Sequence, residues 1–166
     1  MNTALKAAGL TAVKTLPKCS LIDPGQIWFR ANNHIVILNL DTKQLIKNIE
    51  YPENAENLDF CTTNSTLAYT VKNNLFITGN SGVQQITNDQ EQHIINGTTV
   101  HRNEFGIDKG TFWSPAGNKL AFYRMDETMV GDYPLVDFMA REAELENIKY
   151  PMAGMTSHQV KLGVYN

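Results

Sequence analysis

Glu104 sits in the tract His101-Arg102-Asn103-Glu104-Phe105-Gly106, where a guanidinium, an amide and a carboxylate follow one another. A carboxylate there can pair with a cationic group, and the Asn103 side-chain carbonyl can accept a further hydrogen bond from it. Arg102 suits a supporting salt bridge that orients Glu104. The same residues also fit a solvated loop carboxylate with an arginine beside it, and the residue types leave both readings open.

The other reactive side chains form no catalytic or metal-binding pattern. There is no G-x-S-x-G nucleophile elbow, because Gly79-Asn80-Ser81-Gly82 has the wrong spacing and reads as a hairpin turn. Ser114 lies in a Ser-Pro turn, where its hydroxyl bonds local backbone, and Asp126 with Glu127 closes a strand by turn or ion-pair chemistry. His34, His93, His101 and His158 are scattered without zinc spacing, and Cys19 and Cys61 belong to no CxxC. No catalytic residue, metal site or cofactor is expected in this chain. The aromatics Trp28, Phe112, Trp113 and Phe122 sit in apolar runs and read as core. Asn64-Ser65-Thr66 and Asn96-Gly97-Thr98 are glycosylation sequons at expected turns, with no secretory signal in view.

The elements that must position these residues follow from composition and pattern. The 166 residues are 42% hydrophobic and 19% charged, with a formal charge of -3, which is ample for one core. Without a Lys/Arg run, nucleic acid is not an expected partner. No apolar stretch approaches the ~18 residues of a membrane span. Residues 1–23 read as a leader or short helix, with Lys6 and Gly9 interrupting the Ala/Leu-rich stretch that a signal peptide would need.

From 24 to 166 the texture is short apolar runs broken by Asn and Gly. Gln26-Ile27-Trp28-Phe29, His34-Ile35-Val36-Ile37-Leu38, Thr66-Leu67-Ala68-Tyr69-Thr70 and Asn74-Leu75-Phe76-Ile77 have the length and β-branched or aromatic content of strands, with turn residues between them. With no helical crossovers, the sheets should be antiparallel. Phe60-Cys61-Thr62-Thr63-Asn64-Ser65-Thr66-Leu67-Ala68-Tyr69 is echoed about 52 residues later by Phe112-Trp113-Ser114-Pro115-Ala116-Gly117-Asn118-Lys119-Leu120-Ala121-Phe122. A repeat of that order with about four strands is a propeller blade, whose faces are buried only against neighbouring blades. The expected fold class is all-β, antiparallel four-stranded blades of a partial β-propeller. At roughly 45 residues per blade there is room for about three blades, fewer than a closed ring needs. Hence the expectation of a piece of a longer chain, or of blade faces that pair with another chain, including a homo-oligomer. Within this span Phe138 to Lys149 carries helix-forming residues between Pro134 and Pro151, and we expect it extended.

Gly110-Thr111-Phe112-Trp113-Ser114-Pro115, Lys119-Leu120-Ala121-Phe122-Tyr123-Arg124-Met125-Asp126-Glu127, Tyr133-Pro134-Leu135-Val136-Asp137-Phe138 and Lys149-Tyr150-Pro151-Met152-Ala153-Gly154, followed by Val160-Lys161-Leu162-Gly163-Val164-Tyr165, form an ordered series. It resembles the propeller domain of the dipeptidyl peptidase IV family, prolyl oligopeptidase-type serine peptidases, over about residues 83 to 166 and more loosely over 24 to 82. The resemblance implies an eight-bladed propeller over an α/β-hydrolase domain with a Ser-Asp-His triad, releasing N-terminal Xaa-Pro or Xaa-Ala dipeptides in the periplasm or outside the cell. This chain would be the N-terminal propeller fragment, the C-terminal hydrolase domain being absent from it, so it should be inactive alone. Peptides with a free N-terminus are then the expected partners. The family's pair of glutamates for the substrate ammonium maps, with one gapped residue, onto Asn103 and Glu104, with Arg102 supporting. Asn103 departs from the pattern. Two other readings stand beside this one: a freestanding propeller-type peptide- or protein-binding module, and an assembly element that pairs through its blade faces.

Overall fold

The computed structural model describes residues 1–15, 17–142 and 144–166, with the side chain of Arg102 also outside the description. Among the described residues three four-stranded antiparallel sheets follow one another along the chain, and none closes on itself. This is the all-β, partial-propeller fold class expected from the strand grammar.

The first sheet contains β1 (Cys19–Asp23), β2 (Gln26–Ala31), β3 (His34–Asn39) and β4 (Leu45–Glu50). The second contains β5 (Glu56–Cys61), β6 (Thr66–Val71), β7 (Asn74–Gly79) and β8 (Gly82–Gln85). Their hairpins follow from the turn residues. Asn32 and Asn33 join β2 to β3, and Lys72 and Asn73 join β6 to β7, all four at positive φ, as a two-residue turn with matching right-handed twist requires. Gly79 pairs with Gly82 across the expected Asn80-Ser81 turn.

Within residues 1–23, read from sequence as a leader or short helix, Asn2–Ala7 form α1 and Cys19–Asp23 form β1, hydrogen-bonded to β2. The first sheet thus begins before residue 24. Leu5 of α1 is fully buried against Phe29, Val36 and Leu38, so the helix covers the outer face of that sheet.

The third sheet is built around β11 (Leu120–Asp126). Along one edge runs β14 (Gln159–Tyr165), paired from Leu120↔Tyr165 to Asp126↔Gln159. Along the other lie β9 (Ile94–Asn96) and β10 (Thr111–Trp113), end to end. Between β11 and β14 the chain leaves as an exposed two-stranded ribbon, β12 (Asp132–Asp137) with β13 (Glu144–Lys149). Of the stretch 138–149, expected to be extended, Glu144–Lys149 is so as β13, whereas 138–142 bend to join it to β12; Ala143 lies outside the described residues.

Side chains alternate faces along a strand, and this divides each central strand between two neighbours. On β3, Val36 and Leu38 face α1 while Ile35 packs with Ile49, Leu67 and Tyr69. On β6, Leu67 and Tyr69 face the first sheet while Ala68 packs with Leu75, Leu120 and Phe122 of the second and third. Strands buried on both faces lose the hydrophobic-polar alternation and read as continuous apolar runs, which is how β3 and β6 appear. Trp28 and Phe60 meet at 4.9 Å between the first two sheets, and Trp113 and Phe122 pack between the second and third. The repeated turns also touch: the Asn64 amide donates to Gly117 O and the Thr63 hydroxyl to Pro115 O.

In the 166-residue chain, Leu67→Ala should cost about 2–5 kcal/mol by loss of buried surface and a residual cavity. Leu162→Ala, on the open face of β14, should change stability by less than about 0.5 kcal/mol. Urea denaturation of the two variants checks the assignment of faces.

Candidate functional site

β9 and β10 are two halves of one strand position. Asn96 pairs with Arg124 and Thr111 with Phe122, leaving Tyr123 between them. Its carbonyl accepts from Gly97 N–H at 2.8 Å, and its N–H donates to Gly110 O at 3.0 Å. Residues 97–110 are thereby extruded from mid-strand, with both ends of the loop tied to one residue. Glycine is required at this neck. A Cβ on Gly110 would lie 2.2 Å from the Thr98 carbonyl group, and Gly97 has φ +67° with Leu75 and Thr70 against it.

Above the neck the Thr99 hydroxyl donates to Ile107 O at 2.7 Å and Val100 is buried, closing the loop a second time. The tip, His101–Gly106, is a short 3₁₀ segment. His101, Asn103 and Phe105 there have φ of 54°, 63° and 58°, a left-handed conformation that costs roughly 1–2 kcal/mol per non-glycine residue and that clusters at ligand-binding segments.

This tip faces the end of β11 and the segment that joins β13 to β14. Between them lies a cleft of about 510 Å³, lined by His101, Glu104, Phe105, Met125, Glu127, Lys149, Tyr150 and His158 among others. The rings of His101 and His158 lie 5.3 Å apart, and Phe105 meets His101 edge-on. Lys149 is neutralised by Asp132 at 3.0 Å and also donates to Val130 O. Asp126 accepts from the Thr128 hydroxyl and N–H, which hold its carboxyl below the ordinary range and close the turn after β11. Glu127 is held beside His93, 3.5 Å from its Nδ1.

Of the three residues read from sequence, Glu104 lines the cleft, whereas Asn103 is exposed and outside its lining. The Arg102 side chain, expected to support Glu104, lies outside the described residues. The sequence reads Glu127 as a turn or ion-pair former and His158 as one of the scattered histidines; Glu127 belongs to the motif of residues 119–127, whereas His158 lies between two motifs and carries no such signal. Ser114 keeps its local role, accepting from Lys119 N–H and donating to Asn118. Among the described residues no three His, Cys, Asp or Glu side chains converge as metal ligands, and no helix is long and apolar enough to cross a membrane. The sequon Asn96 is fully buried, donating to Asp89 and Asn73 O, and the Asn64 amide is engaged by Gly117 O; the folded chain presents neither as a free acceptor for a glycan.

The loop neck is also pinned electrostatically. Arg124, opposite Asn96, donates to Asp89 at 2.7 Å, and Asn96 donates to the other Asp89 oxygen at 2.9 Å. The Arg124 hydrogen bond, and after it that of Asn96, depress the Asp89 carboxyl below its ordinary range against the opposing effect of burial.

The sequence profile of the dipeptidyl peptidase IV (DPP IV) N-terminal region matches residues 26–166. Dipeptidyl aminopeptidase B of Saccharomyces cerevisiae is 33% identical over 110 residues, covering 60% of this chain and 13% of that protein. Among solved structures, that of a putative dipeptidyl aminopeptidase IV from Bacteroides ovatus superposes with a TM-score of 0.88 at 45% identity, covering 99% of this chain and 23% of that one. Dipeptidyl peptidase 4 of Porphyromonas gingivalis shares the fold, with a TM-score of 0.60 at 22% identity over 90% of this chain and 22% of its own. The chain thus spans less than a quarter of the length of these relatives.

Two outcomes test the neck. Gly110→Ala should destabilise the chain by about 1–3 kcal/mol or more through backbone overlap and should speed amide exchange at Tyr123, whose N–H bonds Gly110 O; hydrogen exchange read by NMR checks this. Because the folded Asp89 carboxyl is depressed, its stabilisation is complete above the unfolded value near about pH 4 and is lost as pH falls through the lower folded value. Asp89→Asn should therefore be less stable at neutral pH and lose less on acidification, a difference visible in denaturation midpoints measured down the acid limb.

Proposed function

We propose, for a chain that belongs to the dipeptidyl peptidase IV N-terminal region family, that it is the propeller portion of a serine exopeptidase releasing N-terminal dipeptides, and that it admits the peptide and binds its free N-terminus. The observation that carries this reading is the placement of Glu104 on a purpose-built loop, in the lining of a cleft large enough for the end of a peptide. A carboxylate in a cleft attracts an α-ammonium by Coulomb interaction, which strengthens as water is excluded, and the ammonium offers three N–H donors to be satisfied. Binding the N-terminus at a fixed place would set how much of the peptide reaches a nucleophile, which makes the enzyme count two residues.

The open face of β14 supports the propeller part of the proposal. Val160, Leu162 and Val164 lie exposed on one face, while Tyr165, on the other, reaches back to donate to Gln84 of the second sheet. In a propeller that open face is the one the next blade covers. The proposed setting of the whole protein is the periplasm or the cell exterior, following the family resemblance.

In the complete protein, Glu104→Gln should lower kcat/KM for a free dipeptidyl substrate by roughly tenfold to a thousandfold and leave any cleavage of the N-acetylated substrate nearly unchanged. Equal losses on both substrates, or none, would assign Glu104 to the solvated surface. The purified 166-residue chain should show no hydrolysis of a Gly-Pro-chromophore substrate, since it carries no nucleophile elbow; activity abolished by a serine-directed inhibitor would overturn that.

A further inference from the structure

We infer that Glu127 is the second carboxylate of the ammonium site, in place of an acidic residue next to Glu104 in sequence. The inference rests on the reading of Glu104 given above and deepens it. Two carboxylates line the cleft, Glu104 from the extruded loop and Glu127 from the turn after β11, whereas Asn103 does not line it. The neighbouring acid, Asp126, is engaged by Thr128, and the lysine of the lining is neutralised by Asp132. The net charge left on the walls is negative and suits a cation.

Glu127 is also held in place. Its N–H donates to His93 O at 3.0 Å and its carboxylate lies 3.5 Å from His93 Nδ1, so backbone and side chain are both fixed before a ligand arrives. The imidazole contact is made through one carboxylate oxygen, Oε1. The same lining contains His158, whose Nε2 is withdrawn from solvent without a hydrogen-bond partner, a polar deficit that an apolar occupant would not relieve. A primary ammonium is a compact donor-only cation, and two carboxylates carried into one cleft by separate segments offer it acceptors. A ligand that is bound this way must bridge the loop and β11, so the site recognises charge at the N-terminus rather than shape alone.

The test uses the complete protein and two probes of nearly equal shape, the dipeptide Ala-Pro and lactyl-proline, in which a hydroxyl replaces the amine. Dissociation constants are measured by calorimetry for wild type, Glu104→Gln, Glu127→Gln and Asn103→Ala, with thermal melts to verify folding. Glu127→Gln should weaken Ala-Pro by about tenfold or more and lactyl-proline by less than about twofold, while Asn103→Ala changes neither. Glu127→Asp, which keeps the charge, should recover part of the loss. If Glu104→Gln weakens Ala-Pro and Glu127→Gln does not, the inference falls and the reading of Glu104 stands. Equal weakening of both probes by Glu127→Gln reports a structural role and also overturns it. No effect from Glu104→Gln removes the functional reading and the shared site together.

Discussion

The pairing of Gly97 and Gly110 with the two backbone groups of Tyr123 is the constraint on which the cleft depends. It lets one edge of β11 be occupied by a strand that is interrupted without being broken. Ile94–Asn96 and Thr111–Trp113 keep the ladder intact on either side, and the chain between them is free to leave the sheet. A side chain on Gly110 would meet the Thr98 backbone, so the loop can be narrow at its base only because that residue is glycine. The base is secured again by Asp89, which joins Arg124 to Asn96. Loops carry binding residues usefully when a rigid scaffold positions them, and here the scaffold is the best-paired strand of the third sheet.

That strand is itself held by its neighbours. Leu120 and Phe122 pack on Ala68 and Leu75 of the second sheet, whose Leu67 and Tyr69 pack on Ile35 and Ile49 of the first. The small side chain of Ala68 lets Leu120 and Phe122 approach from one side, while its larger neighbours in β6 fill the space on the other. On β11 and β14 a similar match occurs at Gly163, where a Cβ would overlap the Phe122 ring. A blade of this kind has no core of its own. Its stability is a sum over interfaces, as in other stacked repeats, and the strand that carries the loop base packs directly on the second sheet.

The cleft gathers short segments that are distant in the chain: residues 99–105, 125–127 and 149–158. The intervening ribbon of β12 and β13 carries the chain away from the sheet and returns it at Tyr150, whose N–H donates to Gly131 O. The ribbon therefore brings the Tyr150-Pro151 segment alongside the loop, and it explains how motifs on either side of it belong to one site.

The sequence by itself determined the central strands and the tight turns, because these depend on neighbours one to four residues away, and the echo of residues 60–69 in residues 112–122 showed the repeat. The β-branched run Ile35-Val36-Ile37-Leu38 suits a strand buried on both faces, and Asn32-Asn33 can turn a hairpin within two residues. The ordered motifs from Gly110 to Tyr165 pointed to the family and, through it, to Glu104. Tertiary structure alone decided what depends on distant pairing. β1 is mostly exposed and lacks a strong apolar run, so its strand character comes from its bonds to β2. β9 and β10 are each three residues, too short to signal a shared strand position until β11 aligns them. Asn96 reads as an accessible sequon until the fold buries it, and Asn103, read beside Glu104 through the family's residue pair, lies outside the cleft lining that Glu104 joins. Adjacent residues on a tightly curved segment need not face the same way, whereas Glu127, 23 positions later in the chain, reaches the same cleft because the hydrogen-bond register of β11 ends there.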